Sequence, residues 1–163
     1  AKFYGIKNIV LPFVDESSIS SVFREPKVIN SLRRVIDFFE KVEIECSLEL
    51  DLPPDDILGL VDSLNSEFVF INYDIGNSAA LGFDCSEELD MYGHLINDIH
   101  LKDRVVGGGP ISFGNGSSNF DCLFEFIFKN EFSDPIIMQS YRDNEGLQIF
   151  KQQLNWIKER YLS

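Results

Sequence analysis

The chain has 163 residues, enough for one domain or part of a larger one and too few for two independent enzymes. Hydrophobic residues make up 44% and aromatics 13%, with 15 Phe, which supplies a packed core and excludes a disordered chain. Fourteen Lys and Arg stand against 27 Asp and Glu, and the resulting net charge of -13 repels phosphate backbones, so nucleic acid is not expected as a partner. The three cysteines, Cys46, Cys85 and Cys122, show no CxxC spacing and are odd in number, which points to a reducing, cytoplasmic setting. No apolar run approaches the roughly 20 residues needed to span a bilayer, so no membrane partner is expected.

The chain opens at Ala1 and runs almost at once into Asn8-Ile-Val-Leu-Pro12, a short apolar run of strand character, from which an N-terminal truncation is expected. Between Pro26 and Val42 the apolar residues Ile29, Leu32, Ile36, Phe39 and Val42 recur three or four apart, which predicts an amphipathic helix. The period then changes to two. Val42, Ile44, Cys46, Leu48 and Leu50 alternate with Glu43, Glu45, Ser47, Glu49 and Asp51, as in a strand, until Pro53 and Pro54 end it. Asp55 or Asp56 is expected to cap a helix carrying Ile57, Leu60, Val61 and Leu64, with Phe68 to Tyr73 as the next strand.

Ser86 is expected to cap a helix from Glu87 to about Asn97, with His94 on its surface, ahead of a strand at Ile99-His-Leu-Lys102. A Gly-rich loop follows from Gly107 to Gly116, interrupted by Ile111-Ser-Phe113 as a very short strand. Phe120, Leu123, Phe124 and Ile127 predict another helix, Ile136 to Gln139 a strand, and Phe150, Leu154, Ile157 and Tyr161 a closing helix.

Strands separated by helix-length stretches indicate an α/β fold with a parallel sheet. A doubly wound sheet buries both strand faces in apolar contacts, whereas here one face is repeatedly acidic or amidic. A (β/α)8 TIM barrel accounts for this better, because inward side chains at the C-terminal strand ends build its active site. The parity set by Leu48 and Leu50 turns Glu49 inward, and likewise Asn72 with Asp74, His100 with Lys102, and Gln139. Alternation also suits the solvent face of an antiparallel sheet, but hairpins need only a few connecting residues.

Glu49, Asp74 and His100 thus offer two carboxylates and an imidazole from successive strand ends, a donor set suited to Mn²⁺, Mg²⁺, Co²⁺ or Zn²⁺. Taken singly, an acid at a strand end caps the next helix and a lone His is a structural residue. Backbone N–H groups of the Gly107-Gly109 and Gly114-Gly116 segments can cradle a phosphate, with Lys102, Arg104 or Arg142 adding positive charge, although no GxxxxGK signature is present.

Four segments resemble the xylose-isomerase-like TIM barrels, especially sugar-phosphate isomerases and epimerases: Gly5-Ile-Lys-Asn-Ile-Val-Leu-Pro12, Leu48-Glu-Leu-Asp-Leu-Pro-Pro54, Asn72-Tyr-Asp-Ile-Gly-Asn77 and Ile99-His-Leu-Lys-Asp103. Gly114-Asn-Gly116 and Asn119-Phe-Asp121 add to the likeness. The resemblance implies one TIM-barrel domain over residues 1–163, here partial, with the third to eighth βα units present as six strands. It implies that Glu49, Asp74 and His100 bind a divalent metal and that Asn77 faces substrate. Gln139 stands where many members carry a fourth, glutamate ligand. An amide oxygen still ligates a hard cation but cannot act as a base, which favours a one-base aldose–ketose isomerase, acting through an enediolate with Glu49 moving the proton, over a two-base epimerase. The implied partner is a sugar or sugar phosphate, and a homo-oligomer is compatible. The alternatives are a sugar epimerase of the same family and a non-catalytic sugar-binding relative. The apurinic endonucleases of the superfamily need several histidines, and this chain has only His94 and His100.

Overall fold

A computed structural model describes residues 2–139, 141, 144 and 146–162. Five strands form one sheet in the order β1-β2-β3-β4-β5. By contact density the chain falls into two compact units, Ala1–Tyr73 with Met91–Asp98, and Asp74–Asp90 with Ile99–Ser163.

In the first unit, β1 (Asn8–Phe13) pairs in parallel with β2 (Glu45–Leu50), and β2 in parallel with β3 (Val69–Asp74). The helix α1 (Pro26–Val42) occupies the predicted span and buries Leu32, Ile36 and Phe39. It stops where Glu43 turns into the left-handed region at φ 53°, its N–H reaching back to the carbonyls of Phe39 and Glu40. The helix α2 (Pro54–Leu64) buries Ile57, Leu60 and Leu64. Neither Asp55 nor Asp56 caps it: Pro53 is the N-cap, both acids lie in the first turn, and Asp56 pairs instead with Arg24.

The strands β2 and β3 are buried on both faces, while β1 is half-buried with Pro12 exposed. Cys46, Leu48, Val69, Ile71 and Tyr73 supply one face, yet Ser47, Glu49, Asn72 and Asp98 are buried as well. Buried polar groups need partners. Ser47 Oγ donates to Asn8 Oδ1 at 2.7 Å, Asn97 Nδ2 to Glu45 Oε2 at 3.0 Å, and Asn72 Nδ2 to Asp98 Oδ1. The predicted helix running to Asn97 is therefore corrected. It ends at Tyr92, a 3-10 turn spans Gly93–Leu95, and β4 (Ile96–Leu101) begins three residues before the expected Ile99. Asn97 and Asp98, which resemble a helix's polar face in the sequence, are strand residues whose side chains enter this polar network. His94 is exposed, in the 3-10 turn rather than on the helix.

In the second unit, the short helix α3 (Ile75–Leu81), absent from the sequence expectations, starts immediately after β3 and closes on Gly82 at φ 79°. Next comes α4 (Cys85–Tyr92), whose first N–H groups, those of Ser86 and Glu87, donate to Asp84 Oδ1, so Asp84 and not Ser86 does the capping. β4 pairs in parallel with β5 (Ile136–Met138), His100 opposite Ile137. No strand forms at Ile111–Phe113, which leaves five strands where the sequence suggests six. The N–H of Ile111 goes to the Asp103 carbonyl, within an isolated antiparallel bridge between Arg104 and Pro110, and that of Phe113 to Gln153 Oε1, so neither joins the sheet. The helices α5 (Phe120–Lys129) and α6 (Leu147–Tyr161) carry an aromatic cluster. In it, the Phe120 ring lies 5.1 Å from Phe113 and 5.3 Å from Trp156, and Phe124 stacks on Tyr161 at 4.1 Å.

Candidate metal centre

Asp74 is the last residue of β3 and the N-cap of α3, so its two oxygens have different duties. Oδ1 accepts the N–H of Asn77 at 2.9 Å, a capping bond that fixes the carboxylate at the helix start. Oδ2 is fully buried, has no well-directed hydrogen bond, and lies 2.7 Å from Lys102 Nζ and 3.9 Å from His100 Nδ1. The ammonium contact balances charge without supplying an aligned hydrogen bond, so this oxygen retains capacity for a further electrophile.

His100 projects from β4 with Nδ1 toward Asp74, and Gln139, just past β5, places its amide nitrogen 2.8 Å from that same Nδ1. In this orientation the amide donates to the ring and the imidazole proton sits on Nε2; a turned amide would accept from Nδ1–H instead. Glu49, on β2, is buried. Within the second unit, Asp74 Oδ2 and His100 Nδ1 approach to 3.9 Å, both side chains buried. A hard divalent cation takes oxygen and imidazole nitrogen at about 2.0–2.6 Å; Asp74 offers a buried oxygen with no directed hydrogen bond, and His100 offers the lone pair of Nε2 when the Gln139 amide is turned to accept from Nδ1–H.

The residues expected to meet substrate are positioned as follows. Asn77 is buried on α3, and its Oδ1 accepts from Arg104 Nη1 at 2.8 Å with Lys102 Nζ at 3.4 Å. Arg104 also donates through Nε to the Gly108 carbonyl at 3.0 Å. Lys102 is held to Asp74. Arg142 lies outside the described residues. The Gly-rich loop does not offer the predicted phosphate cradle in its Gly114-Gly116 stretch, because its N–H groups are already used. Asp103, 1% exposed, accepts from Gly114 and Gly116 at 2.9 Å and from Ser118 at 3.1 Å. Asn115 donates to the Ser112 carbonyl, while Gly107 and Gly108 donate to the carbonyls of Ala80 and Val105.

Two residues escaped sequence reasoning. Asp103 reads there as one more acid of the Ile99-His-Leu-Lys-Asp103 segment, although two acceptor oxygens ahead of a Gly-rich stretch are a signal for a loop organiser. Gly76 stands there only inside the Asn72–Asn77 segment, with no role of its own. In fact a Cβ on Gly76 would lie 2.8 Å from Lys102 Cβ and Cγ, so its bare Cα lets the lysine stem cross the start of α3.

Comparison with known proteins agrees with this layout. The L-ribulose-5-phosphate 3-epimerase UlaE of Salmonella paratyphi B is 25% identical over 144 residues, 82% of this chain and 50% of its own length. A xylose isomerase domain protein from Planctomyces limnophilus superposes with a TM-score of 0.76 at 18% identity, over 97% of this chain and 60% of that one. The IOLI protein with a bound zinc atom gives 0.70 at 18% identity, over 96% and 64%. The chain spans about half the length of the curated relatives it matches. These structural likenesses establish the barrel fold, of which the five parallel strands and their helices are a part. A family model covers nearly the whole sequence, residues 1–160, and on that match the chain belongs to the xylose isomerase-like TIM barrel family.

Proposed function

We propose that the protein moves a proton at the carbon beside a sugar carbonyl, in a reaction supported by a divalent cation held by Glu49, Asp74 and His100. The observation that carries this reading is the approach of two buried donor side chains, Asp74 Oδ2 and His100 Nδ1, to 3.9 Å, with Glu49, buried on β2, proposed as the third donor. A cation bound there supplies Lewis acidity toward vicinal sugar oxygens. Asp74 is held for this by its capping bond, and His100 is oriented through Gln139. Glu49 takes the proton from carbon and returns it to the neighbouring carbon, with the electron pair passing through an enediolate and the hydroxyl proton passing to the former carbonyl oxygen. Asn77 and Arg104, joined at 2.8 Å, are the proposed sugar-hydroxyl contacts, with Arg142 as a further cation.

Gln139 cannot accept a proton, so one base serves one face of the substrate and the favoured outcome is aldose–ketose isomerisation. The second reading, epimerisation, is favoured by the likeness to UlaE, an L-ribulose-5-phosphate 3-epimerase. The proposed setting is the cytoplasm; among the described residues, no helix is long and apolar enough to cross a membrane. The test is ¹H NMR in D₂O with Mn²⁺ and a panel of ketoses and ketose phosphates. Deuterium at C2 of the aldose formed, with exchange at C1 of the remaining ketose, supports the isomerase, and deuterium at C3 with inverted configuration supports the epimerase. Glu49→Gln is expected to slow exchange by about 10²-fold or more. Metal binding with no exchange on any sugar would leave a binding module and overturn the enzyme reading.

A further inference from the structure

Asp74 has one oxygen to give and two cations to receive it. Oδ1 is engaged by the Asn77 N–H, whereas Oδ2 faces the His100 ring at 3.9 Å, so Oδ2 is the oxygen that a metal at this centre would take, and Lys102 Nζ already touches it at 2.7 Å. The contact is well enclosed, with the Asp74 side chain 1% exposed and that of Lys102 20%. A divalent ion and an ammonium on one carboxylate oxygen repel each other at close range in a poorly hydrated site, where Coulomb forces are little screened. The lysine also has somewhere to go. Its stem is fixed against Gly76, while its terminal nitrogen already lies 3.4 Å from Asn77 Oδ1, so rotation of the last methylenes carries the charge off Asp74 without moving the backbone. Within this second unit Asp74, His100, Lys102 and Gln139 sum to no net negative charge when Lys102 is ionised, because an amide stands at position 139.

We propose that Lys102 is a built-in counter-cation: it holds Asp74 Oδ2 in the metal-free protein and yields that oxygen on metal binding, weakening the site for metal and freeing an ammonium beside Asn77 for substrate. The proposal rests on the metal reading above. Its test uses calorimetric titration of the whole chain with Mn²⁺ alone, in the wild type and in Lys102→Met, Lys102→Arg and Asp74→Asn. Removal of the competing charge is expected to tighten Mn²⁺ binding about tenfold or more in Lys102→Met. Lys102→Arg, which keeps the charge, is expected to bind no more tightly than the wild type, and Asp74→Asn to lose binding.

Wild-type binding that is lost in Asp74→Asn but equal or weaker in Lys102→Met would overturn the counter-cation and leave the metal centre standing. No binding in either the wild type or Lys102→Met would overturn both. A second measurement needs no variant: acylation of Lys102 in the wild type, followed by mass spectrometry, is expected to quicken severalfold on Mn²⁺ addition, as the ammonium leaves its carboxylate. An unchanged or slower rate would overturn the proposal.

Discussion

Asp103 shows how a carboxylate next to a candidate site serves it without touching substrate. Its two oxygens take three backbone N–H groups from Gly114, Gly116 and Ser118, so a loop rich in glycine acquires one conformation. A Cβ at Gly116 would lie 2.1 Å from Asp103 Oδ1, which leaves no room for a side chain there. Asp103→Ala is expected to cost about 2–4 kcal/mol, read by urea denaturation, through the loss of charge-assisted bonds and the stranding of buried N–H groups. Cys46 carries a pH prediction. Burial pushes its thiol from 9.0 up to about 12, so folding favours the protonated form. Its contribution to stability is complete below pH 9 and is lost as pH rises from 9 to about 12; Tyr161, raised by burial from 10.0 to about 12, acts in the same direction. Urea midpoints are expected to fall between pH 8 and pH 11, and Cys46 to resist iodoacetamide at pH 8.5 until the chain unfolds. At this scale strand parity makes Glu49, Asp74 and His100 legible in the sequence as candidate metal donors. The sequence conceals Asp103 and Gly76, whose effects pass through backbone N–H groups and through empty space.

Elements were legible where one pattern ran long enough. The 3.6 period over Pro26–Val42 defines α1 to the residue because a single apolar stripe faces the core. It fails over α3, whose Ile75-Gly-Asn-Ser-Ala-Ala-Leu81 has no stripe and is started by the Asp74 cap. The boundary near Ile96 is missed for another reason: Asn97 and Asp98 are polar yet buried, their partners being Glu45 and Asn72, distant in sequence. The helices α5 and α6 depend on each other through Phe120, which is 3% exposed and packs on Phe113 and Trp156. Phe120→Ala is expected to destabilise by about 3–5 kcal/mol, with loss of near-ultraviolet circular dichroism from the Trp156 environment preceding loss of helix.

At the level of the whole chain, helix-length spacers between short strands give the parallel order, and the buried polar face separates a barrel from a doubly wound sheet. The strand count was the part out of reach, because whether Ile111–Phe113 joins the sheet depends on where two N–H groups find acceptors in three dimensions. The excess of acid has a global consequence. With a net charge of -13, self-repulsion opposes compaction, so raising NaCl from 10 to 150 mM is expected to raise the thermal midpoint, as the Debye length falls from about 30 to 8 Å. A midpoint independent of salt would show that the charges are already compensated locally.

The crossing at Gly76 extends beyond the lysine it admits. Because a methyl there would meet both the stem of Lys102 and, at 3.0 Å, its carbonyl carbon, even an alanine would press on the main chain leaving β4. The two positions thus form a lock without clearance, in which a change at one is answerable only at the other. Inheritance should carry them as a pair, so that among related chains a larger residue at 76 arrives only together with a rerouted peptide at 102.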